Sequence, residues 1–116
     1  MPAINFKKQF AEKIRTGEKI QTIRLLRKNP IKIGDTLHLY TGMRTRWCEK
    51  ILEAKCESIA EIEISDMIRI GGFGLKYQEA LEFAKDDGFE TLKEFWDFFK
   101  QHYRLPFKGV VITWRS

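Results

Sequence analysis

Lys19, Thr22 and Arg24 fall within ten residues of one another in the stretch TGEKIQTIRL, residues 16–25. A threonine hydroxyl becomes a nucleophile when a base takes its proton. A lysine can be that base when burial or neighbouring cations bring its pKa toward neutrality. An arginine offers a planar fork of donors to a phosphate or a carbonyl. The same stretch reads as a strand over 19–25, and side chains of a strand alternate between faces. Lys19, Gln21, Ile23 and Leu25 then share one face, and Ile20, Thr22, Arg24 and Leu26 the other. A regular strand therefore separates Lys19 from Thr22. The two meet only if the chain bends after Gly17 or a bulge intervenes.

Two further clusters are candidates. Asp86-Asp87-Gly88 places two carboxylates at the end of an expected helix. Acids there oppose the helix dipole, so a cation such as Lys19 is a natural partner for one of them. An acid beside the lysine would orient it or protonate a leaving amine. The run Tyr40-Thr41-Gly42-Met43-Arg44-Thr45-Arg46 follows an expected strand. Gly42 permits a tight turn or a close backbone approach, and Arg44 and Arg46 can grip phosphate. Gly71-Gly72-Phe73-Gly74 lacks the Gly-Lys-Ser/Thr of a phosphate loop and reads as a turn. Cys48, Cys56, His38 and His102 do not have zinc-site spacing, and no motif requires a cofactor.

The elements that must carry these residues follow from periodicity. Ala3–Phe6 is extended. Phe6, Phe10 and Ile14 then recur at helical spacing, with Gly17 as a stop. Thr36–Thr41 alternates as a strand, and 45–64 holds one long bent strand or two. Ala80, Leu81, Phe83 and Ala84 mark a second helix. Thr91 and Glu94 form a capping-box pattern ahead of the stripe Leu92, Phe95, Trp96, Phe99, Tyr103. A strand over 107–114 closes the chain, with Val110-Val111-Ile112 expected to be buried on both faces. Trp47 and Trp114 are expected either in the core or lining a groove.

At 116 residues this is one domain, 1–116, of α+β class on a curled sheet or barrel. No apolar run approaches a membrane span and no secretory signal is evident, so a cytoplasmic, monomeric protein without membrane contact is expected. The net charge is +5, unevenly placed: residues 1–55 carry 13 Lys/Arg against 5 Asp/Glu, whereas 56–104 carry 6 against 11. The basic half favours an anionic partner such as RNA or a nucleotide.

The pattern Gly17-x-Lys19-x-x-Thr22-x-Arg24, ahead of Ile33-Gly34-Asp35 and a strand, resembles the ASCH domains, relatives of the PUA RNA-binding domains. The likeness extends to 39–45, to Asp87-Gly88-Phe89 before the Glu94-Phe95-Trp96 helix, and to the closing strand. It implies a PUA-like β-barrel flanked by about three short helices, with a cleft beside the barrel for RNA or a modified nucleoside. Lys19, Arg24, Tyr40, Thr41, Gly42, Arg44 and Arg46 would contact that ligand. One bacterial branch of the family removes the acetyl group from N4-acetylcytidine with a lysine, a threonine and a glutamate. Lys19 and Thr22 match the first two, and Asp87 stands in the region of the glutamate, one methylene shorter. The resemblance thus implies nucleoside or RNA binding, with amidohydrolysis as the alternative.

Overall fold

The computed structural model describes residues 2–115 as seven strands and three helices. Strand β1 (Ala3–Phe6) buries Ile4 and Phe6 and turns Asn5 outward. Helix α1 (Lys8–Thr16) buries Phe10, Ala11 and Ile14. Lys13 and Arg15 in its last turn complement the dipole. Gly17, at φ 85°, ends the helix by donating its amide to the Ile14 carbonyl. Strand β2 (Gln21–Arg24) is shorter than the expected 19–25, and the Lys19 and Ile20 amides bond outside the sheet.

Strand β3 (Thr36–Thr41) buries Leu37 and Leu39. Residues 45–64 resolve into a loop followed by a single 16-residue strand, β4 (Glu49–Ile64). Register shifts at Leu39/Tyr40 and at Cys56/Ser58 interrupt its two ladders, as bulges do where a strand bends. The first part of β4 pairs with β3 and the rest with β7 (Phe107–Arg115), both antiparallel. Strands β5 (Ile68–Ile70) and β6 (Phe73–Gly74) make a hairpin on the far end of β4. Gly71 and Gly72, at φ 60° and 87°, supply its turn. Helix α2 (Tyr77–Asp86) buries Ala80 and Ala84, and α3 (Leu92–His102) buries Phe95 and Phe99. The Thr91 hydroxyl accepts from the Glu94 amide at 3.1 Å, while the Glu94 carboxylate accepts from the Glu90 amide rather than from Thr91.

The α+β class stands, but the sheet does not close into a barrel. Strand β1 pairs only with β3, in parallel, and β2 only with β7. These two edges face each other without backbone hydrogen bonds between them. Arginine side chains span the gap instead. Arg24 Nη2 donates to the Asn5 carbonyl at 2.6 Å, and Arg27 Nη2 to the Ala3 carbonyl at 2.8 Å. The outward carbonyls of β1 are thereby satisfied without a neighbouring strand.

Trp114 is buried and packs edge-on to Phe6 at 5.8 Å, so it belongs to the core. Beneath the helices, Phe10, Phe89, Phe95, Phe98 and Phe99 form a continuous aromatic layer, most of it in the tilted and edge-on contacts that aromatic pairs prefer. Within the closing strand, Val111 and Ile112 are buried and Val110 is half-buried. Among the described residues no helix is long and apolar enough to cross a membrane.

Candidate functional site: a cleft at the unpaired seam

Where β1 and β2 fail to pair, a cleft of about 250 Å³ opens between them and the helices. Its lining includes Phe6, Lys19, Thr22, Arg24, Asp87 and Tyr103. Lys19 and Thr22 share this cleft although an ideal strand would separate them. The chain leaves Gly17 and bends. The Lys19 amide donates to the Lys13 carbonyl at 3.0 Å, and the Ile20 amide to the Asp86 carbonyl at 2.9 Å. These bonds tie the amides of residues 19 and 20 to the ends of α1 and α2, while the Ile20 carbonyl accepts from the Trp114 amide of β7 at 3.0 Å. The paired register with β7 then runs from Gln21, opposite Thr113.

Lys19 is 3% exposed and reaches the turn between α2 and α3. Its Nζ donates to the Asp87 carbonyl at 2.5 Å and lies 3.6 Å from Asp87 Oδ1. It also sits 4.7 Å from the Phe10 ring centre and 5.7 Å from that of Phe6, distances at which an aromatic face attracts a cation. Gly88 makes room for the stem: a Cβ there would stand 3.0 Å from Lys19 Cδ. Lys13 fixes the same turn by donating to the Gly88 carbonyl at 2.8 Å.

Asp87 caps the C-terminus of α2 and is 4% exposed, whereas Asp86 beside it is exposed. Burial raises the Asp87 carboxyl to about 6, against the pull of Lys19, Gln21 and Arg24. Its Oδ1 is buried without a hydrogen-bond partner, and at 3.6 Å the Lys19 ammonium attracts it without bonding it. Burial likewise lowers the Lys19 pKa, with Asp87 opposing the change and Arg24 adding to it. The result is a buried acid and a buried base, each pushed toward its neutral form.

Arg24 holds the other wall. Its Nε donates to Thr22 Oγ1 at 3.0 Å, and its guanidinium lies 5.0 Å from the Phe6 ring centre. With Nη2 on the Asn5 carbonyl, the fork is fixed at two points, and its remaining N–H groups are available to a ligand. The Thr22 oxygen accepts from a cation, which favours developing negative charge there, and its own proton is free to be donated.

Tyr40, Thr41, Gly42, Arg44 and Arg46 do not line this cleft. They stand at the end of β3 and on the loop that follows. That loop is rooted beside the cleft: Thr41 Oγ1 donates to the Phe6 carbonyl, and the Met43 amide to Asn5 Oδ1, both at 3.0 Å. Trp47 is neither core nor cleft and is 71% exposed. Conversely, Tyr103 continues the core stripe of α3 in the sequence. It is the residue that ends the helix, half-buried, stacked on Phe99 at 5.3 Å, and facing the cleft. Phe10 enters the sequence pattern as part of the α1 stripe, and Phe6, which ends the extended segment as well as opening that stripe, belongs to β1. Among the described residues no three His, Cys, Asp or Glu side chains gather to hold a metal ion.

No protein-family profile, curated protein or solved structure matches the chain.

Proposed function

We propose that the chain is an ASCH-type, PUA-like domain whose seam cleft binds a pyrimidine nucleoside, free or within RNA. The observation that carries this reading is the gathering of Lys19, Thr22, Arg24 and Asp87 in one aromatic-walled cleft of about 250 Å³. Burying such groups is costly unless they are matched, and Asp87 Oδ1 is an acceptor with no donor. The N–H of an exocyclic amine or amide would supply one. The free N–H groups of Arg24 suit a ring carbonyl, and half-buried Tyr103 suits the apolar face of a base.

Amidohydrolysis of an N4-acylated cytidine is a second reading, favoured by the convergence of Lys19, Thr22 and Asp87. Neutral Lys19 would take the Thr22 proton as Oγ1 attacks the acyl carbon. The C–N bond then breaks, the cytosine amine takes a proton from Lys19 or Asp87, and water hydrolyses the threonine ester to release the acid. The test is titration with N4-acetylcytidine and cytidine, followed by assay for cytidine release. Binding without release supports recognition alone. Release that Lys19→Ala and Thr22→Ala both abolish supports the hydrolase. Absence of binding by either compound sinks both readings.

A further inference from the structure

Residues 42–48 form a loop that the cleft does not use. Its backbone is tightly fixed. Gly42 takes φ 68°, and a Cβ there would meet the Trp47 carbonyl at 2.9 Å. Thr45 donates to the Gly42 carbonyl through both its amide, at 3.1 Å, and its hydroxyl, at 2.6 Å. The Trp47 amide in turn donates to that hydroxyl oxygen at 3.1 Å. Arg44, at φ 69°, is the one non-glycine residue with positive φ among those described. Such conformations persist where the surroundings impose them, and they concentrate at ligand sites.

The fixed loop displays a large aromatic surface and positive charge together. Trp47 is 71% exposed, and the Arg46 guanidinium lies 4.6 Å from its ring centre. Arg44 and Arg46 are both exposed. Asn5 joins the loop to the cleft: it lines the cleft, its carbonyl accepts from Arg24, and its Oδ1 accepts from Met43. Exposed Lys7 lies on the same rim. A path of positive charge therefore runs from the cleft mouth toward an exposed indole.

We propose that this loop is a second nucleotide subsite, so that the ligand is single-stranded RNA rather than a free nucleoside. A base adjoining the one in the cleft stacks on Trp47, and Arg44, Arg46 and Lys7 meet the phosphates between and beside them. Stacking on aromatic side chains with basic residues along the backbone is the general chemistry of single-strand binding. A protein partner fits less well, because the indole is already shared with a guanidinium and is bordered by arginines. The proposal rests on the cleft reading for the first base and on the Trp47 loop for the second.

The experiment compares cytidine with a pentacytidylate ribo-oligonucleotide, on the intact chain and on Trp47→Ala and Arg46→Ala. Calorimetric titration follows binding, because Trp47→Ala removes the exposed tryptophan that quenching would report on, Trp114 being buried and Trp96 half-buried. The expected result is tighter binding of the oligonucleotide than of cytidine. Trp47→Ala should weaken the oligonucleotide on the order of tenfold and leave cytidine unchanged. Arg46→Ala should flatten the salt dependence of oligonucleotide binding. Equal affinities for the two ligands, both indifferent to Trp47→Ala, overturn the second subsite and leave the cleft reading standing. Oligonucleotide binding that needs Trp47, with no binding of cytidine or N4-acetylcytidine, supports the platform and overturns the cleft. A Trp47-dependent dimer that ignores RNA overturns the proposal in favour of a protein contact.

Discussion

Lys19 Nζ donates to the main-chain carbonyl of Asp87 and lies 3.6 Å from the carboxylate of the same residue, with both side chains almost wholly buried. One cation thus holds a helix end and faces its acid. Removing one member of such a pair leaves the other uncompensated, at a cost of roughly 3–5 kcal/mol. Lys19→Met should destabilise the domain on that scale in urea titrations, whereas Asp87→Asn, which removes a carboxylate that burial already disfavours, should cost clearly less. The combined Lys19→Met/Asp87→Asn variant should lose clearly less than the two losses together. Strict additivity would show that the two groups are not coupled. Well-packed apolar replacements of buried pairs are often neutral. A Lys19→Met/Asp87→Leu variant that folds normally yet binds no nucleoside would therefore mark the pair as kept for binding.

The same pair should make stability depend on pH. Asp87 titrates at about 6 in the fold against 3.8 for an ordinary aspartate. Between these values the folded state holds a proton that the unfolded state has lost, so stability falls as pH rises. The difference is worth about 3 kcal/mol. Lys19 acts oppositely at alkaline pH. Its lowered folded pKa means the unfolded chain binds more protons up to 10.5, and stability climbs toward that pH. Exposed Glu53, held low by Lys50, and exposed Asp66, held low by Ser65, slope the other way in acid. The informative quantity is thus the difference between the parent and Asp87→Asn. Melting temperatures from pH 4 to 6 should fall more steeply, or rise less, in the parent. Parallel curves would show that Asp87 is not raised.

Arg24 should be irreplaceable by lysine. Its fork bonds the Thr22 hydroxyl and the Asn5 carbonyl at once, across a seam that has no backbone ladder. A lysine can reach one such acceptor with the wrong geometry. Losing a charge-assisted hydrogen bond costs about 1.5–3 kcal/mol. Arg24→Lys should lower stability by about that much and speed amide exchange in β1, whose other edge is held by β3. Exposed Arg27, bonded to Ala3 alone, should cost less when replaced by Ala. Unchanged exchange in β1 for Arg24→Lys would mean that the guanidinium does not hold the seam.

What was legible in the sequence was local. The Phe10 and Ile14 spacing, the Thr91 cap and the alternation of Thr36–Thr41 each express a period that neighbouring residues impose. The site depends on contacts between distant segments. Lys19 and Thr22 share a cleft because the Lys19 and Ile20 amides bond to Lys13 and Asp86, and strand alternation has no knowledge of those partners. Helix phase at the end of α2 selects Asp87 over Asp86, and a shift of one residue would reverse them. Tyr103 continues the α3 stripe in sequence, yet the helix ends there and leaves it on the cleft wall. Barrel closure failed for a similar reason. Two short strands read as sheet, but their mutual pairing is a non-local event, and arginine side chains take its place.

Gly88 offers a way to disturb the site without touching its polar groups. At φ 98° it holds a conformation that L side chains adopt only with strain, and a Cβ would meet Lys19 Cδ at 3.0 Å and Phe10 Cδ1 at 3.1 Å. Gly17, at φ 85°, carries the same backbone strain with nothing within 4 Å. Each substitution by Ala should cost about 1–3 kcal/mol through the backbone alone. Gly88→Ala adds crowding against the Lys19 stem, which must move its ammonium away from Asp87 or push Phe10 from the aromatic layer. The variant should therefore be the less stable of the two. It should also bind nucleoside more weakly at temperatures where both remain folded, while Gly17→Ala keeps the parent affinity. Because the two share the strain, the difference between them isolates the position of Lys19. Equal affinities for the two variants would show that the ligand does not depend on that ammonium.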